Sequence, residues 1–502
     1  MKHFSILPFV LVGMFGFSAT VMAFPKEKLL LSTDRVSLDS CRSMALKHNK
    51  KIRMAELKVS KADYEHRVAR TNYLPKVSGM ANYTHMSENV SLLSSERRAS
   101  LSHIGTDLVG GIAPKFQQIA QGILVTHPEL MPLLQGMSGT LPALGAKLDA
   151  TGQQLSEALN IDNRNLFVGG ILLTQPIYMG GKIRAYDRIT SYGRELANEG
   201  LRAEQQTLLL DVDKAYWQVV SLVNKKKLAT AYRDMLEHLN GDVNKMIAAG
   251  VATRANELSV SVELNKAEMT LLKVDDGLTL SRMLLAQLCG WSLEEQPILL
   301  DEQLEVLASE EKQMVADIEK AFAERPELRQ LKHAASIYRE KVKIEQSVFL
   351  PTVALTGGYT VTNPSFHNGF EKKFNGSWHV GLTMKMPLWN WGEGRNKVRA
   401  ARAEASMAEL HFGEMREKIE LQVRQCAFAV NEADKKLHLS ENNLAKAEEN
   451  LRISKLGFDE GMISTTDLLA AQTAWLAAQS DNIDAQIDTK LTRAALSKAL
   501  GE

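Results

Sequence analysis

The amino-acid sequence predicts a mixed α and β membrane protein, built from one unit of helix, strand, strand and long helical hairpin that occurs twice. Three observations carry this prediction. Similar motifs recur at a constant spacing, apolar residues alternate in four short segments, and two very long stretches have helical character without proline. A long unit present in two copies indicates one duplicated architecture rather than two unrelated domains.

The duplication is visible as motif pairs that keep the same distance along the chain. The pairs at an offset of 211 residues are Pro176 with Pro387, Gly250-Val251 with Gly461-Met462, and Gly290 with Gly501. Upstream, Leu74-Pro75 matches Leu350-Pro351 at an offset of 276 residues. The first copy therefore contains 65 extra residues. They lie within 87–163, a segment with helical pieces to which composition assigns no role.

The first residues have the pattern of a secretory signal peptide. Lys2 precedes an apolar run, and Val21-Met22-Ala23 supplies small residues for cleavage after Ala23. A membrane anchor is less favoured, because Ser5 and Pro8 dilute a run that is barely long enough to span. Without this segment the chain has 59 basic and 59 acidic residues. This balance gives no reason to expect a nucleic-acid partner.

Cysteines and histidines give no sign of a metal centre or a catalytic site. Cys41, Cys289 and Cys426 are scattered, so we interpret them as small buried thiols rather than disulfide or zinc ligands. The 12 histidines show no metal-ligand spacing, and no phosphate loop or nucleophile motif occurs. We therefore expect no metal, no cofactor and no enzymatic activity. A catalytic pair of carboxylates can also form between residues that are far apart in sequence, without any motif.

Each copy begins with helices and changes to strands at a Leu-Pro boundary. Ser37 is the predicted N-cap of a helix to about His48, and a second helical stretch runs over 51–72. The counterpart in the second copy runs over 318–348. The residue before a proline disfavours the helical region, so the chain turns extended there. From the alternation of apolar residues, strands are predicted at about 76–86, 165–176, 352–362 and 377–387.

The strands are the only predicted route into a membrane. Each has about ten residues, enough to cross the apolar core of a bilayer when tilted, although a soluble sheet packed on a helix explains the alternation equally well. No stretch after Ala23 is apolar enough for a transmembrane helix. Four strands leave open edges in lipid, so closure needs two chains for eight strands or three for twelve. The sequence does not choose between them.

Aromatic residues fall near both ends of the predicted strands, where the interfacial belts of a membrane barrel lie. One group lies toward the loops and the other lies beside the long helices. The loop group is Tyr83, Tyr359, Phe167 and Trp378, and the helix group is Tyr178, Trp389 and Trp391.

Two very long helices follow the strands, at about 182–249 and 393–460. They have narrow apolar stripes, as in helices that pack side by side in a coiled-coil manner. Gly250 and Gly461 end them, and Thr253 or Ser464-Thr465 follows as an N-cap, so each forms a tight hairpin with a returning helix.

The acidic segment 291–311, which includes Asp301 and Glu302, is predicted to be a solvated connection between the copies. The predicted division of the chain is a signal peptide at 1–23, a first repeat at 24–290, this connection, and a second repeat at 312–502.

The Ser37-Leu38 opening, the two Leu-Pro boundaries, the two glycine hairpins and the closing Ala499-Leu500-Gly501, in this order and spacing, resemble the TolC-like outer-membrane efflux protein family. The resemblance covers nearly all of the chain after Ala23 except the insertion at 87–163. It implies a homotrimer with a twelve-stranded β-barrel in the outer membrane of a Gram-negative-type bacterium, in contact with outer-membrane lipid. The barrel would continue into an α-helical coiled-coil tunnel in the periplasm, and the insertion would be extracellular.

The resemblance also implies a function and partners. The expected function is a passive exit duct for drugs or other small molecules, driven by an inner-membrane pump of the resistance-nodulation-division or ABC type through a periplasmic adaptor (membrane fusion) protein. The exit duct of a type I protein secretion system is an alternative. An envelope coiled-coil scaffold is less favoured, since it has no use for the polar face of the strands. The tip residues that would contact the adaptor are Gly250, Val251, Thr253, Gly461, Met462, Ser464 and Thr465.

The residues expected at the periplasmic gate depart from the family pattern. In the family, aspartates after each tip, a tyrosine and an arginine close the tunnel entrance. Asp467 matches one such aspartate, and a ring of this residue would concentrate cations at a narrow mouth. A favourable charge at a helix N-terminus is the alternative role. The substituted positions are Asn256 for an aspartate, Phe458 for the tyrosine, Ile463 for the arginine and Ala470 for a second aspartate. We therefore expect a closed entrance held by other contacts.

Overall fold

The computed structural model describes residues 35–87, 93–126, 131–159, 164–294, 297–303, 316–367 and 371–502. The predicted signal peptide at 1–23 lies outside these residues. The chain divides into two compact units. The hairpin unit takes its described residues from Met1–Lys50, Thr207–Val315 and Cys426–Leu496, and the sheet unit takes them from Lys51–Gln206, Ala316–Gln425 and Ser497–Glu502. Each unit therefore combines segments from both sequence repeats.

Eleven α-helices and four strands make up most of the described chain. In the first half they are α1 (Leu38–His48), α2 (Lys50–Arg70), β1 (Lys76–His85), α3 (Ser95–Ser102), α4 (Ile104–Thr126), α5 (Met131–Ala158), β2 (Asn165–Met179), α6 (Lys182–Ala248) and α7 (Arg254–Cys289). In the second half they are α8 (Ile318–Glu324), α9 (Pro326–Gln346), β3 (Thr352–Asn363), β4 (Asn375–Lys385), α10 (Glu393–Asp459) and α11 (Thr465–Leu500). Among the helices described, none has a window apolar enough to cross a membrane.

The four strands form one antiparallel sheet in the order β1-β2-β3-β4. Gly79 pairs with Ile171, Ile171 with Tyr359, and Tyr359 with Trp378, so these residues form one row across the sheet. Because directly opposite residues project to the same side, the apolar sets of all four strands share one face. The polar residues Ser78, Asn82, Thr84, His379, Thr383 and Lys385 share the other.

At two strand ends a proline explains the difference from the predicted position. β2 continues past Pro176 to Met179, and its pairing with β3 shifts register between Pro176 and Tyr178. A proline has no N–H to donate, and such a register shift accommodates it. β4 ends at Lys385, ahead of Pro387, which cannot donate to the ladder. Within the described sheet, β1 and β4 each pair on one side only.

The long helices repeat with the spacing of the sequence motifs. α6 and α10 have 67 residues each, and α7 and α11 have 36 each. Residues with positive φ also recur at an offset of 211. The pairs are Gly180 with Trp391, Gly181 with Gly392, Gly250 with Gly461, and Gly290 with Gly501. The duplicated unit is therefore present in the backbone, and among the described residues Trp391 (φ 47°) is the one non-glycine with positive φ.

Part of the connection between the copies is packed rather than solvated. Leu299 is fully buried, and the Glu302 carboxylate, which is also buried, accepts hydrogen bonds from Arg282 and from the Leu299 N–H, all at 3.2 Å. The Tyr216 hydroxyl donates to Asp301 at 2.6 Å, and burial raises the pKa of Tyr216. The prediction of a solvated segment is thus wrong at Asp301 and Glu302, because a phenol and an arginine elsewhere in the chain partner their charges. Residues 295–296 and 304–311 lie outside the described part.

Cys41, Cys289 and Cys426 all lie in the described residues, and none of them forms a disulfide. Cys41 and Cys289 are fully buried, and the Cys289 thiol donates to the Cys41 carbonyl at 3.6 Å. Cys426 is half-buried. The interpretation as small buried thiols is confirmed for the first two.

Candidate functional site

The first hairpin tip ends α6 with a defined capping motif. The N–H of Gly250 donates to the carbonyl of Ile247 at 3.0 Å, and the N–H of Val251 donates to the carbonyl of Met246 at 2.9 Å. This pair of bonds is a Schellman motif, which satisfies two carbonyls left open at a helix end. Gly250 has φ +75°, a left-handed conformation that glycine adopts without a Cβ clash.

The second tip ends α10 in the same way. The N–H groups of Gly461 and Met462 donate to the carbonyls of Phe458 and Gly457, at 3.0 and 2.7 Å. Gly461 has φ +73°, and a Cβ built on it would meet no heavy atom within 4 Å. Both glycines therefore have a local structural role, whether or not a partner also approaches them.

Each tip presents one exposed apolar side chain directly after its glycine. Val251 is 70% exposed and Met462 is 81% exposed. An apolar side chain this exposed at the same position of two hairpins offers contact area to another surface. The residues that the resemblance assigns to adaptor contact thus include two that are accessible in the folded chain.

A hydrophobic cluster holds the four helices of the two hairpins together below the tips. Ile463 is half-buried and packs on this cluster, where it also lies against Gly457. Its buried members come from α6, α7, α10 and α11, and they are Tyr232, Leu236, Leu239, Val243, Val260, Ala267, Phe458, Leu468 and Leu469. Two positions that the resemblance connects with a polar gate, Phe458 and Ile463, therefore make apolar contacts here.

A chain of polar contacts joins the two hairpins above this cluster. The Thr253 hydroxyl donates to the side-chain oxygen of Asn256, and Nδ2 of Asn256 donates to the hydroxyl of Thr465 at 3.1 Å. Thr253 stands at the N-cap position of α7, and Thr465 is the first residue of α11. Thr465 is 4% exposed, so the Thr465 end of this link between the first turns of the returning helices is shielded from water.

Asp467 lies on the surface and completes a capping box at the start of α11. Its carboxylate accepts hydrogen bonds from the hydroxyl of Ser464 at 2.7 Å and from the N–H of Ser464 at 3.2 Å. In return, the N–H of Asp467 donates to the Ser464 hydroxyl at 3.2 Å. These bonds, the hydroxyl first, hold the pKa of Asp467 below its usual range. The side chain is therefore an anion that caps the helix, and it stays charged in the exposed tip.

The structure adds residues to this site that no sequence motif identifies. The hydroxyl of Tyr232 lies 3.3 Å from that of Thr473, which joins α6 to α11. Leu468 and Leu469, directly after Asp467, are buried in the cluster. A signal existed for Tyr232, since it continues the apolar stripe of α6 four residues before Leu236. Among the described residues, no three His, Cys, Asp or Glu side chains are grouped to hold a metal ion.

The aromatic residues predicted as belts lie in the strands or just after β4. Tyr83 pairs with Phe167 near the loop ends of β1 and β2, and Tyr359 pairs with Trp378 four residues before the end of β3, all on the apolar face. Phe167 also makes an edge contact with Phe374, with ring centroids 5.5 Å apart. At the other ends lie Tyr178, in β2, and the pair Trp389 and Trp391, which contact each other at 5.9 Å and are 72% and 89% exposed.

Comparison with known proteins places these features in a family. A family model described as outer membrane efflux protein matches residues 135–291 and 318–502. The alkaline protease secretion protein AprF of Pseudomonas aeruginosa is 26% identical over 337 residues, which are 64% of this chain and 67% of that protein. The outer membrane protein TolC of Vibrio cholerae is 22% identical over 340 residues, which are 67% of this chain and 77% of that protein.

Solved structures share the fold. The crystal structure of the Campylobacter jejuni CmeC outer membrane channel superposes with a TM-score of 0.71 and covers 92% of this chain and 85% of that one. The two sequences are 14% identical, so the similarity lies in the arrangement of helices and strands.

Proposed function

Because the chain belongs to the outer membrane efflux protein family, we propose that it is the outer-membrane duct of a tripartite efflux assembly. The protein is an outer-membrane efflux protein with a large periplasmic part. In the proposed assembly it is a passive exit for drugs or other small molecules and catalyses no reaction. An inner-membrane pump of the resistance-nodulation-division or ABC type supplies the driving force through a periplasmic adaptor.

The observation that carries the proposal is the common apolar face of the four strands. A sheet with one apolar and one polar face suits a wall between lipid and water, with the apolar face outside. The two open edges, β1 and β4, then pair with the edges of neighbouring copies. Three copies give twelve strands. Two copies would give eight, and the interior of an eight-stranded barrel is filled by side chains, which leaves no duct. We therefore favour a homotrimer.

The hairpin tips are the proposed contact with the adaptor. Val251 and Met462 are exposed apolar residues on two equivalent turns, and three copies would present six such turns. Glycine beside each of them leaves the backbone accessible to close approach. The shared capping geometry of Gly250 and Gly461 supports two similar contact sites for each chain.

The proposed gate at the tips depends mainly on apolar packing. Phe458 and Ile463 pack in or on the cluster that joins the hairpins, and Asn256 and Thr465 bridge the hairpins with a neutral hydrogen bond. Asp467 remains as the charged group, and a ring of three such residues would favour cations at the entrance. Apolar contacts and a neutral hydrogen bond thus stand where the resemblance leads us to expect charged interactions, and they respond weakly to salt.

A duct for protein secretion is the second candidate, and one observation favours it. The relative that is 26% identical over 337 residues is an alkaline protease secretion protein. A type I secretion system uses the same kind of duct with an ABC pump, so the architecture of this chain fits both candidates.

Planar-bilayer recording of the purified protein tests the duct. We expect discrete conductance steps from a trimer whose mass equals three processed chains. A pure, folded trimer without conductance would contradict the proposal. To separate the two candidates, a strain lacking the chain is compared with its parent for drug susceptibility and for the proteins in its medium. Increased drug susceptibility with unchanged secreted proteins supports efflux of small molecules, and the reverse pattern supports secretion.

A further inference from the structure

The insertion of the first copy is a set of three helices, α3 to α5, between β1 and β2. The N–H of Met86, just after β1, donates to the carbonyl of Arg164, just before β2, at 2.8 Å. The segment therefore leaves the sheet and returns to it at one place. Because β1 is an edge strand of the described sheet, the insertion begins at the boundary where a neighbouring copy would join.

The packing inside the insertion uses small residues rather than large ones. A Cβ on Gly105 would lie 2.0 Å from the carbonyl oxygen of Gly145, and a Cβ on Gly152 would lie 1.9 Å from the carbonyl oxygen of Leu101. Ser156 is also buried on this face of α5. Close approach of these backbones requires glycine, so the inner face of α5 has little apolar side-chain area to bury.

Large apolar residues of α4 and α5 are exposed beside this contact, and two of them, Ile104 and Leu148, border it. In α5 they are spaced by four or seven residues, which aligns them in one stripe along the helix. The exposed members are Leu133, Met137, Leu144, Leu148 and Leu155 in α5, between 37% and 65% exposed, and Ile104, Leu108, Ile112 and Ile119 in α4, between 44% and 61% exposed. A helix that buries glycine and exposes leucine has its packing surface turned toward a partner.

The position of this surface is fixed by a polar anchor. The Asp149 carboxylate of α5 accepts hydrogen bonds from the N–H groups of Gly105, at 2.6 Å, and Thr106, at 3.1 Å, and from the Thr106 hydroxyl. These are the first turn of α4, whose N–H groups have no partner within the helix. Rotation of α5 to bury its leucines would break these bonds.

The charge of the surface argues against a lipid partner. Helices that lie on membranes carry many Lys and Arg side chains together with aromatic anchors. α4 has one lysine and one aspartate over 23 residues, and α5 has one lysine, one aspartate and one glutamate over 28 residues. Phe116 is their one aromatic residue. Such weakly charged, leucine-rich faces suit contact with each other.

We propose that the α4–α5 faces of neighbouring copies of this chain pack on one another and form a helical bundle at the outer end of the barrel. This inference rests on the proposed homotrimer. Each copy places its insertion beside a subunit boundary, so three insertions meet around one axis. The bundle adds an interface to the pairing of β1 with β4 and narrows the outer mouth of the duct.

Cysteine cross-linking of the assembled protein tests the bundle. Leu148→Cys is made in a Cys426→Ser chain, since Cys41 and Cys289 are fully buried. Gln153→Cys is the matched control. Gln153 lies five positions after Leu148 and is exposed on a different side of α5. Oxidation of the purified trimer with copper phenanthroline should give a covalent dimer for Leu148→Cys and none for Gln153→Cys.

The outcomes separate the bundle from the duct. A conducting trimer without a covalent dimer at position 148, or with equal dimer at both positions, overturns the bundle and leaves the duct intact. A fluorophore at position 148 that spin-labelled lipid quenches also overturns it, in favour of membrane contact. Absence of the trimer or of conductance in the unsubstituted chain would contradict the proposed function itself.

Discussion

Nδ2 of Asn256 donates a hydrogen bond to Oγ1 of Thr465 at 3.1 Å and so joins the returning helices of the two hairpins within one chain. The resemblance leads to the expectation of an aspartate at position 256, and the amide makes a neutral contact in its place. Below this bond the hairpins share a hydrophobic cluster that contains Phe458. Opening of the tips must therefore break one half-buried polar link and separate apolar surfaces.

Asn256→Ala should increase the open fraction of the duct. The variant removes a neutral hydrogen bond, which contributes about 1 kcal/mol and corresponds to a roughly fivefold change in an opening equilibrium. Open probability in planar bilayers is the measurement. Ser259→Ala is the control, because that hydroxyl donates to the Ala255 carbonyl of its own helix. An open fraction equal to that of the parent would show that the bond does not hold the tips closed.

Phe458→Ala should destabilise the hairpin tips. Phe458 is 8% exposed, and truncation of a buried phenylalanine costs about 3–5 kcal/mol. Amide hydrogen exchange over 450–470 should accelerate, and the duct should conduct ions more often. Leu456→Ala, at a position that is 53% exposed, is the comparison and should change exchange much less. Equal effects of the two substitutions would argue against a cluster that depends on Phe458.

Asp467→Asn should lower the preference of the entrance for cations. The asparagine side-chain oxygen can still accept from Ser464, so the variant removes the charge and keeps the cap. Reversal potentials across a salt gradient measure the preference. Asp467→Ala removes both properties and should also loosen the start of α11. Unchanged selectivity in both variants would assign Asp467 to helix capping alone.

The capping contribution of Asp467 should depend on pH only in acid. Its pKa in the folded chain is lowered from 3.8, so its charged form stabilises the tip above that value, and the stabilisation is lost as the pH falls through the lower folded pKa. Protection of the Ser464 amide should be constant from pH 7 to about pH 5 and fall below about pH 4. Asp467→Asn should remove this dependence. A transition near neutral pH would point to a different group.

Gly461→Trp should block coupling to the pump and leave the trimer intact. No heavy atom lies within 4 Å of a Cβ at this position, and the left-handed backbone costs a non-glycine residue about 1–2 kcal/mol. Efflux by cells measures coupling, and native mass measures assembly. Gly461→Asn is the control, since asparagine tolerates this conformation, and it should keep more efflux. A dissociated trimer would give the glycine a structural role instead.

Local signals in the sequence predict most of the fold. Gly250 and Gly461 mark the ends of the long helices, and the Leu-Pro boundaries mark the change to strands, because these residues constrain their own backbone. Ser464 and Asp467 have the spacing of a capping box, which is equally local.

Contacts between distant residues are what the sequence does not show. Asn256 and Thr465 are 209 residues apart, and neither belongs to a pattern that pairs them. Glu302 stands in an acidic run that suggests solvation, while its partner Arg282 lies in α7. The composition of a segment does not show whether water or an arginine partners a carboxylate in it. Likewise, the sequence does not show that the leucine stripe of α5 is exposed, because this depends on which residues of α5 pack on α4.

The equal length of α6 and α10 restricts which insertions and deletions the protein tolerates. Deletion of one residue from α6 within 207–248 would shift its tip by about 1.5 Å and turn it by about 100° relative to the tip of α10. That displacement would separate Asn256 from Thr465. Insertions and deletions in the paired helices must therefore occur in both copies or in neither, whereas the α3–α5 segment can vary alone. The paired helices of the two copies must thus keep equal lengths, although their sequences are free to diverge.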